Sequence, residues 1–128
     1  MIHCVIVRAG LPLGVMAAQI IHAAGESAAG LPDSNTRALA VEARSDGEMY
    51  ETLDRIRERG LAHVEIHEPD APYKGALLAI GIRPVAKGCL KFLQHLPLIK
   101  SRSGSSEKEQ QVPNLQVAGS SPAPSSNA

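Results

Sequence analysis

The chain has 128 residues, a formal net charge of zero, and only two Tyr, one Phe and no Trp. This length suits one domain with a single hydrophobic core. No apolar run approaches the roughly 18 residues that a membrane-spanning helix needs, so we expect no membrane protein. With so few aromatic rings, a nucleic acid would be contacted through phosphates and shape rather than by base stacking.

The first predicted elements are a buried strand, a helix and a second strand. Residues 2–8, IHCVIVR, form a short continuous apolar run, which is typical of a strand buried on both faces. After the connection LPLG, the apolar spacing predicts a helix from about Val15, and RALAVEAR at 37–44 predicts the second strand. This unit favours a parallel pair of strands with a right-handed crossover.

The middle of the chain predicts a helix followed by two strands. In residues 45–60, SDGEMYETLDRIRERG, Ser45 and Glu48 have the spacing of a capping box. AHVEIH at 62–67 alternates as a half-buried strand does, and GALLAIGI at 75–82 indicates a buried strand. The eight-residue link EPDAPYKG between them favours an antiparallel pair.

The last predicted element is a helix that begins at Pro84, where proline can occupy the first helical position, and ends near His95. The resulting order is β-α-β-α-β-β-α. We therefore predict an α/β fold of three layers, in which a four-stranded mixed sheet is flanked by helices. We expect the domain to occupy residues 1–100 and the Ser- and Pro-rich residues 101–128 to form a disordered tail.

Two isolated cysteines, and a first strand that no secretion signal precedes, lead us to expect a cytosolic protein. Cys4 and Cys89 lie far apart in apolar surroundings and form no metal or redox spacing, so we expect both thiols to be reduced and buried. The first strand begins without the basic leader and apolar core of a secretion signal.

Charges are segregated along the chain although they sum to zero. Residues 41–70 carry four Arg and nine acids, whereas residues 71–100 carry five bases and no acid. The basic set could steer a polyanion toward one side, or the two sets could form ordinary solvated faces. The sequence leaves both interpretations open.

Three polar residues interrupt the apolar first helix at spacings of three and four. Gln19, His22 and Glu26 fall within about 60° on a helical wheel, and apolar residues cover the rest. One interpretation is the solvated edge of a mostly buried helix. The other is a cleft, in which the Gln19 amide donates to a carbonyl or oxyanion and the His22 imidazole accepts a proton.

A second group, His63, Glu65 and His67, shares one face of the third strand and has the residue types that ligate metals. Alternate residues of a strand lie about 7 Å apart, so three residues of one strand could not all reach a single ion unaided. We therefore assign them to the solvent face, and we expect neither a metal nor another cofactor.

The stretch AAQIIHAA, one short loop after a strand ending in VR, resembles the AAQ-x-x-HAA helix of the second type of peptidyl-tRNA hydrolase, the archaeal and eukaryotic kind. The similarity continues through residues 37–70, LLAIGIRP and FLQHLPLIK, so it covers residues 1–100 and not the tail. The chain is most similar to a diverged branch, the peptidyl-tRNA hydrolase domain-containing proteins.

This resemblance implies hydrolysis of the ester between a peptide and the 3′ ribose of tRNA, by a cytosolic, metal-independent and often homodimeric enzyme. It places Gln19 and His22 on the polar positions of the motif helix. Glu68 stands where the family has an Asp. We predict that water attacks the ester with His22 or Glu68 as general base, while Gln19 orients the carbonyl or donates to the oxyanion. The residues expected to contact tRNA phosphates are Arg8, Lys74, Arg83, Lys87 and Lys91.

Two departures from the family pattern bear on activity. The loop before the helix lacks the family's Gly-Lys pair, and no Lys or Arg occurs between Arg8 and Arg37. Residues 68–82 lack the family's Thr, and Ala76 lies near its expected position. Losing one oxyanion donor typically costs about 3 kcal/mol. Either the site is rebuilt around Gln19, backbone N–H groups or Arg8, or the fold persists with little activity.

Two other functions remain open on the sequence alone. The chain could be a noncatalytic RNA- or protein-binding domain with the hydrolase fold, which the missing Lys favours and the joint presence of Gln19 and His22 opposes. It could also be an adaptor whose Ser/Pro tail recruits partners.

Overall fold

A computed structural model of the protein describes residues 1–30 and 35–99, so the predicted tail, residues 101–128, lies outside the described residues. Within the described part, the chain forms four strands, two α-helices and one 3-10 helix. In chain order these are β1 (Ile2–Arg8), α1 (Leu13–Ser27), β2 (Arg37–Ala43), α2 (Asp46–Glu58), β3 (His63–Glu68), β4 (Ala76–Val85) and the 3-10 helix (Lys87–Leu93). The predicted α/β order is confirmed.

The strands form one mixed sheet in the order β2-β1-β4-β3. β1 is parallel to β2, whereas β4 is antiparallel to both β1 and β3. The parallel crossover pair and the antiparallel β3–β4 pair are therefore as predicted. β1 lies inside the sheet, which explains its continuous apolar run, because both of its faces are covered.

Side chains of β1 alternate between two hydrophobic cores. Val5 and Val7 pack beneath α1 in one core, while Cys4 and Ile6 belong to the core on the opposite face. The second core includes Met49, Leu53 and Ile56 of α2 and Leu90 and Leu93 of the 3-10 helix. The domain is thus a sheet between two helical layers, as expected.

α1 makes a close approach to β4 at Gly81. A Cβ at this position would overlap the backbone carbonyl of Ala23 and the hydroxyl of Ser27. The Ser27 hydroxyl donates to the Ala23 carbonyl over 2.6 Å and lies 2.8 Å from His3 Nε2. Glycine is therefore required at position 81, because it lets the helix backbone lie directly on the strand.

The prediction that Pro84 begins the last helix is wrong. Pro84 lies within β4, and the helix that follows is a 3-10 helix beginning at Lys87. The β1–β4 register shifts between Ile2, which pairs with Val85, and Cys4, which pairs with Ile82. Proline is tolerated at such a bulge because its missing N–H removes no regular ladder hydrogen bond.

The beginning of α2 carries a modified form of the predicted capping box. The Ser45 hydroxyl accepts a hydrogen bond from the Glu48 N–H at 3.0 Å, as predicted. The Glu48 carboxylate reaches past Ser45 and accepts from the backbone N–H of Arg44 at 2.7 Å, as well as from the Arg44 guanidinium. These hydrogen bonds lower the pKa of Glu48.

The two cysteines differ in exposure, although both were expected to be buried. Cys4 is buried, and burial raises the pKa of its thiol to about 12. Cys89 is exposed, so that expectation is wrong. In the 3-10 helix, Leu90 and Leu93 are three residues apart and share the buried face, which turns Cys89 toward solvent.

Candidate active site at one sheet edge

One edge of the sheet collects the ends of several elements. β1, β2 and β3 all run antiparallel to β4, so their C-terminal ends lie where β4 begins. This edge carries Arg8, Glu68 and the loop 69–75, and α1 begins there after a short connection. We refer to it as the Glu68 edge.

Two predicted site residues meet directly near this edge. Gln19 in α1 donates from Nε2 to Oε1 of Glu68, at the end of β3, over 3.1 Å. Gln19 is only 3% exposed, whereas Glu68 is half-buried. The second oxygen of Glu68, Oε2, accepts a hydrogen bond from the backbone N–H of Asp70 at 3.2 Å. Both carboxylate oxygens therefore have a fixed donor.

The other end of the Gln19 amide is unusual. Its Oε1 is buried and has no hydrogen-bond partner in the described part of the chain. Turning the amide around would place two acceptors, Oε1 and the Glu68 carboxylate, against each other, so the bond to Glu68 fixes the orientation. An unpaired buried acceptor costs about 1–3 kcal/mol, and folded proteins contain few of them.

His22 does not join this pair. It is exposed, and within residues 1–30 and 35–99 its side chain makes no hydrogen bond. Gln19, Ala23 and Ser27 lie on the buried face of α1 at spacings of four, which turns His22 and Glu26 toward solvent. Neither interpretation of the sequence describes all three polar residues of α1, because Gln19 is buried whereas His22 and Glu26 are exposed to solvent.

Arg8 already has partners at the Glu68 edge. Its Nε donates to Asp46 Oδ1 at 2.9 Å, and its Nη1 donates to the backbone carbonyls of Ala9 and Arg44. The guanidinium thereby joins the end of β1 to the beginning of α2. Arg8 acts first as a structural link, and its contact with an oxyanion or phosphate would compete with these bonds.

Lys74 supplies an unpaired positive charge in the loop that follows Glu68. It is exposed, has a positive φ of 49°, and takes part in no ion pair of the described residues. Its backbone N–H donates to the Asp70 carbonyl, and the N–H of Gly75 donates to the Glu68 carbonyl at 2.6 Å. These bonds hold the loop against the end of β3.

The remaining predicted phosphate contacts lie elsewhere. Ala76 of β4 pairs with Glu68, and Arg83 lies seven residues farther along β4. At 3.3 Å per residue, this separation is about 23 Å. Lys87 and Lys91 follow in the 3-10 helix. The structure thus separates these three cations from Lys74 at the opposite edge of the sheet.

A distinct ionic cluster lies on β3. Glu65 is 3.5 Å from His63 Nε2 and 3.2 Å from His67 Nε2, and it accepts from Arg57 of α2 at 2.7 Å. Burial acts to raise the pKa of Glu65, but the hydrogen bonds from His67 and Arg57 outweigh it, and the pKa is lowered. The described residues contain no group of three His, Cys, Asp or Glu side chains arranged to hold a metal.

Backbone N–H groups were expected from the sequence as oxyanion donors, but their place at the beginning of α1 was not. Pro12 precedes the helix, no side chain of the described residues caps it, and its first turn has no acid. The Met16 N–H donates to the Pro12 carbonyl, so the N–H groups of Leu13, Gly14 and Val15 precede the first intrahelical bond. The available signal was Pro12 itself, which stands where Ser, Thr, Asp or Asn usually caps a helix.

No family model and no curated protein matches the chain. The described helices are all too short or too polar to cross a bilayer. The features of this chain that bear on function are therefore the geometry of the Glu68 edge and the AAQIIHAA motif.

Proposed function

We propose that this protein hydrolyses peptidyl-tRNA, releasing the peptide from the 3′ ribose so that the tRNA can be reused. The observation that carries the proposal is the 3.1 Å hydrogen bond between Gln19 Nε2 and Glu68 Oε1, which joins residues 49 positions apart. The family resemblance had independently assigned both residues to one site. Their contact supports that assignment.

Glu68 is the general base in this mechanism. It takes a proton from a water molecule, whose oxygen forms a bond to the ester carbonyl carbon. The tetrahedral intermediate then collapses, the bond from that carbon to the 3′ oxygen breaks, and the 3′ oxygen receives the proton. A positioned base of this kind typically contributes about 10²–10⁴-fold in rate.

Gln19 positions the carboxylate, because one of the two N–H groups of its amide donates to Glu68. This role replaces the oxyanion contact expected from the sequence. The N–H groups at the beginning of α1 are the remaining oxyanion donors, and the positive end of the helix dipole favours the same charge. They would compensate for the missing Lys and Thr of the family pattern.

Lys74 contacts the phosphate backbone next to the ester in this proposal, through a salt-sensitive and sequence-independent interaction. Arg83, Lys87 and Lys91 would meet only a more distant part of the tRNA, given their position at the opposite edge. The proposal includes a cytosolic location and a homodimer, as the resemblance implies. Sedimentation of the full chain tests the homodimer.

A second candidate function is a noncatalytic binding domain. Leu13 and Ile21 of α1 are 81% and 70% exposed, and residues 9–36 contain no Lys or Arg. An apolar helix face next to a site without its usual cation favours contact with a partner over ester hydrolysis.

Release of an N-acetylated amino acid from its tRNA by the full chain tests the two candidates. We expect turnover by the parent protein, a loss of about 100-fold or more in kcat for Glu68→Gln, and little change for the matched control Glu26→Gln on the solvated side of α1. If kcat falls strongly in His22→Ala while Glu68→Gln remains active, His22 is the general base instead of Glu68. Absence of turnover in the parent, with tRNA binding retained, would establish the binding domain instead.

A further inference from the structure

A cavity of about 420 Å³ opens on the face of the sheet opposite α1. It lies between the β1–β2 pair and the 3-10 helix, so the sheet separates it from α1. Its interior is apolar. The main lining side chains are Leu39, Val41, Leu90, Leu93, Leu96 and Leu98.

Positive charge surrounds this apolar interior. In the described part of the chain, Arg37, Lys87 and Lys91 line the cavity, and no acidic residue does. Among the described residues, none of the three cations forms an ion pair. The charge at the cavity is therefore left for a ligand to neutralise, which is the complementarity that recognises an anion.

We propose that this cavity binds a single-chain aliphatic carboxylate, with the hydrocarbon among the leucines and the carboxylate at Lys87, Lys91 and Arg37. A methylene group is about as large as the 30 Å³ share of a liquid water, so the volume holds roughly a dozen non-hydrogen atoms. Decanoate has this size. Ligand sites commonly combine a mostly apolar cavity of this volume with a few placed polar groups.

RNA fits the cavity less well than an aliphatic chain does. Nucleotide bases bind through aromatic stacking, and the lining residues within 1–30 and 35–99 include no aromatic ring. A phosphate backbone could use the cations but would leave the apolar interior unfilled. The cavity shares Lys87 and Lys91 with the proposed tRNA contacts, but none of the residues assigned to the ester chemistry lines it, so the two proposals can fail separately.

Calorimetric titration of the full chain with decanoate, below its micelle concentration, tests the site. We expect saturable binding of one molecule, with 1-decanol and inorganic phosphate each binding at least about tenfold more weakly because each lacks half of the interaction. The double variant Lys87→Gln/Lys91→Gln is expected to weaken decanoate binding by about tenfold and to leave decanol binding unchanged.

A pair of leucine variants separates the cavity from general surface binding. Leu98→Glu places a carboxylate at the cavity, where Leu98 is 59% exposed, and should weaken decanoate at least about tenfold. Leu13→Glu makes the same change on the exposed surface of α1 and should leave decanoate binding unchanged.

Four results would overturn the proposal. Equal loss of decanoate binding in the two leucine variants would show that the cavity is not the binding site. No saturable decanoate binding by the full chain would show the same. Competition by tRNA for the same lysines, without any preference for decanoate over phosphate, would assign the cations to RNA. Self-association that Leu98→Glu abolishes and decanoate does not affect would assign the cavity to a second copy of the chain.

Discussion

Gly81 in β4 lies so close to the backbone carbonyl of Ala23 in α1 that no side chain fits between them. Ala23 follows Gln19 by one turn on the same buried face of the helix. The missing side chain at position 81 therefore determines how closely α1 packs against the sheet. This packing distance in turn allows Gln19 to reach Glu68.

Replacing Gly81 with Ala should lower the free energy of unfolding by about 1–3 kcal/mol, because the helix must move away from the strand. Urea unfolding measures the change. Gly25→Ala adds the same methyl group within α1 at an exposed position with no neighbour within 4 Å, and it should be neutral or stabilising by up to about 1 kcal/mol. Similar losses in both variants would contradict the close-approach argument.

The Gln19–Glu68 hydrogen bond should appear as an energetic coupling. In a double-mutant cycle with Gln19→Ala and Glu68→Ala, the two losses of unfolding free energy should fail to add by about 1–2 kcal/mol, since the carboxylate accepts from a buried amide. The comparison cycle pairs Gln19→Ala with Glu65→Ala, three residues earlier on β3. Additivity within about 0.5 kcal/mol is expected there, and coupling of equal size in the two cycles would argue against the bond.

The ionic cluster on β3 predicts an acid-sensitive contribution to stability. Hydrogen bonds from His67 and Arg57 outweigh burial and lower the pKa of Glu65 in the folded state. Its contribution is therefore complete above the ordinary value of 4.5 and is lost as the pH falls through the lowered folded value. Urea unfolding should show the Glu65→Gln variant less stable than the parent at neutral pH, with the difference shrinking below this value.

A difference that instead grew as the pH fell below 4.5 would reverse the sign and contradict the assignment. The control is Glu26→Gln, an exposed carboxylate with no hydrogen bond or ion pair to the described residues, whose difference from the parent should stay small at every pH.

The thiols should react at different rates with a disulfide reagent in the native protein. Exposed Cys89 should be modified rapidly, whereas Cys4 is buried and has a pKa raised to about 12, so it offers almost no thiolate at neutral pH. We expect one fast thiol in the folded chain and two in denaturant. Cys89→Ser should abolish the fast phase, and its survival in that variant would show that Cys4 is accessible.

Local patterns predicted most of the fold because they depend on neighbours in sequence. The buried run in β1, the Ser45 cap and the short β3–β4 link each follow from a few adjacent residues. Pro84 was misplaced because a first-turn proline and a proline at a strand bulge look alike until the β1–β4 register is known.

The site was harder to predict, because its geometry depends on packing between distant segments. A helical wheel grouped Gln19 with His22 and Glu26, but the docking of α1 at Gly81 turns only Gln19 inward. Equally, Lys74 and Lys91 are both cations of one basic segment, and only the direction of β4 sends them to opposite edges.

β1 is bonded on one side to β2 and on the other to β4, so that Ile2 pairs with Val85. During synthesis the apolar first strand is made long before its antiparallel partner exists. Bringing β1 and β4 together costs loop-closure entropy, because they are far apart in sequence, and this cost comes before their contacts form. Contacts of this kind make folding slow. A nascent chain that stops short of residue 76 holds β1 with one neighbour and α1 with no Gly81 to rest on, and it leaves apolar surface open to other chains.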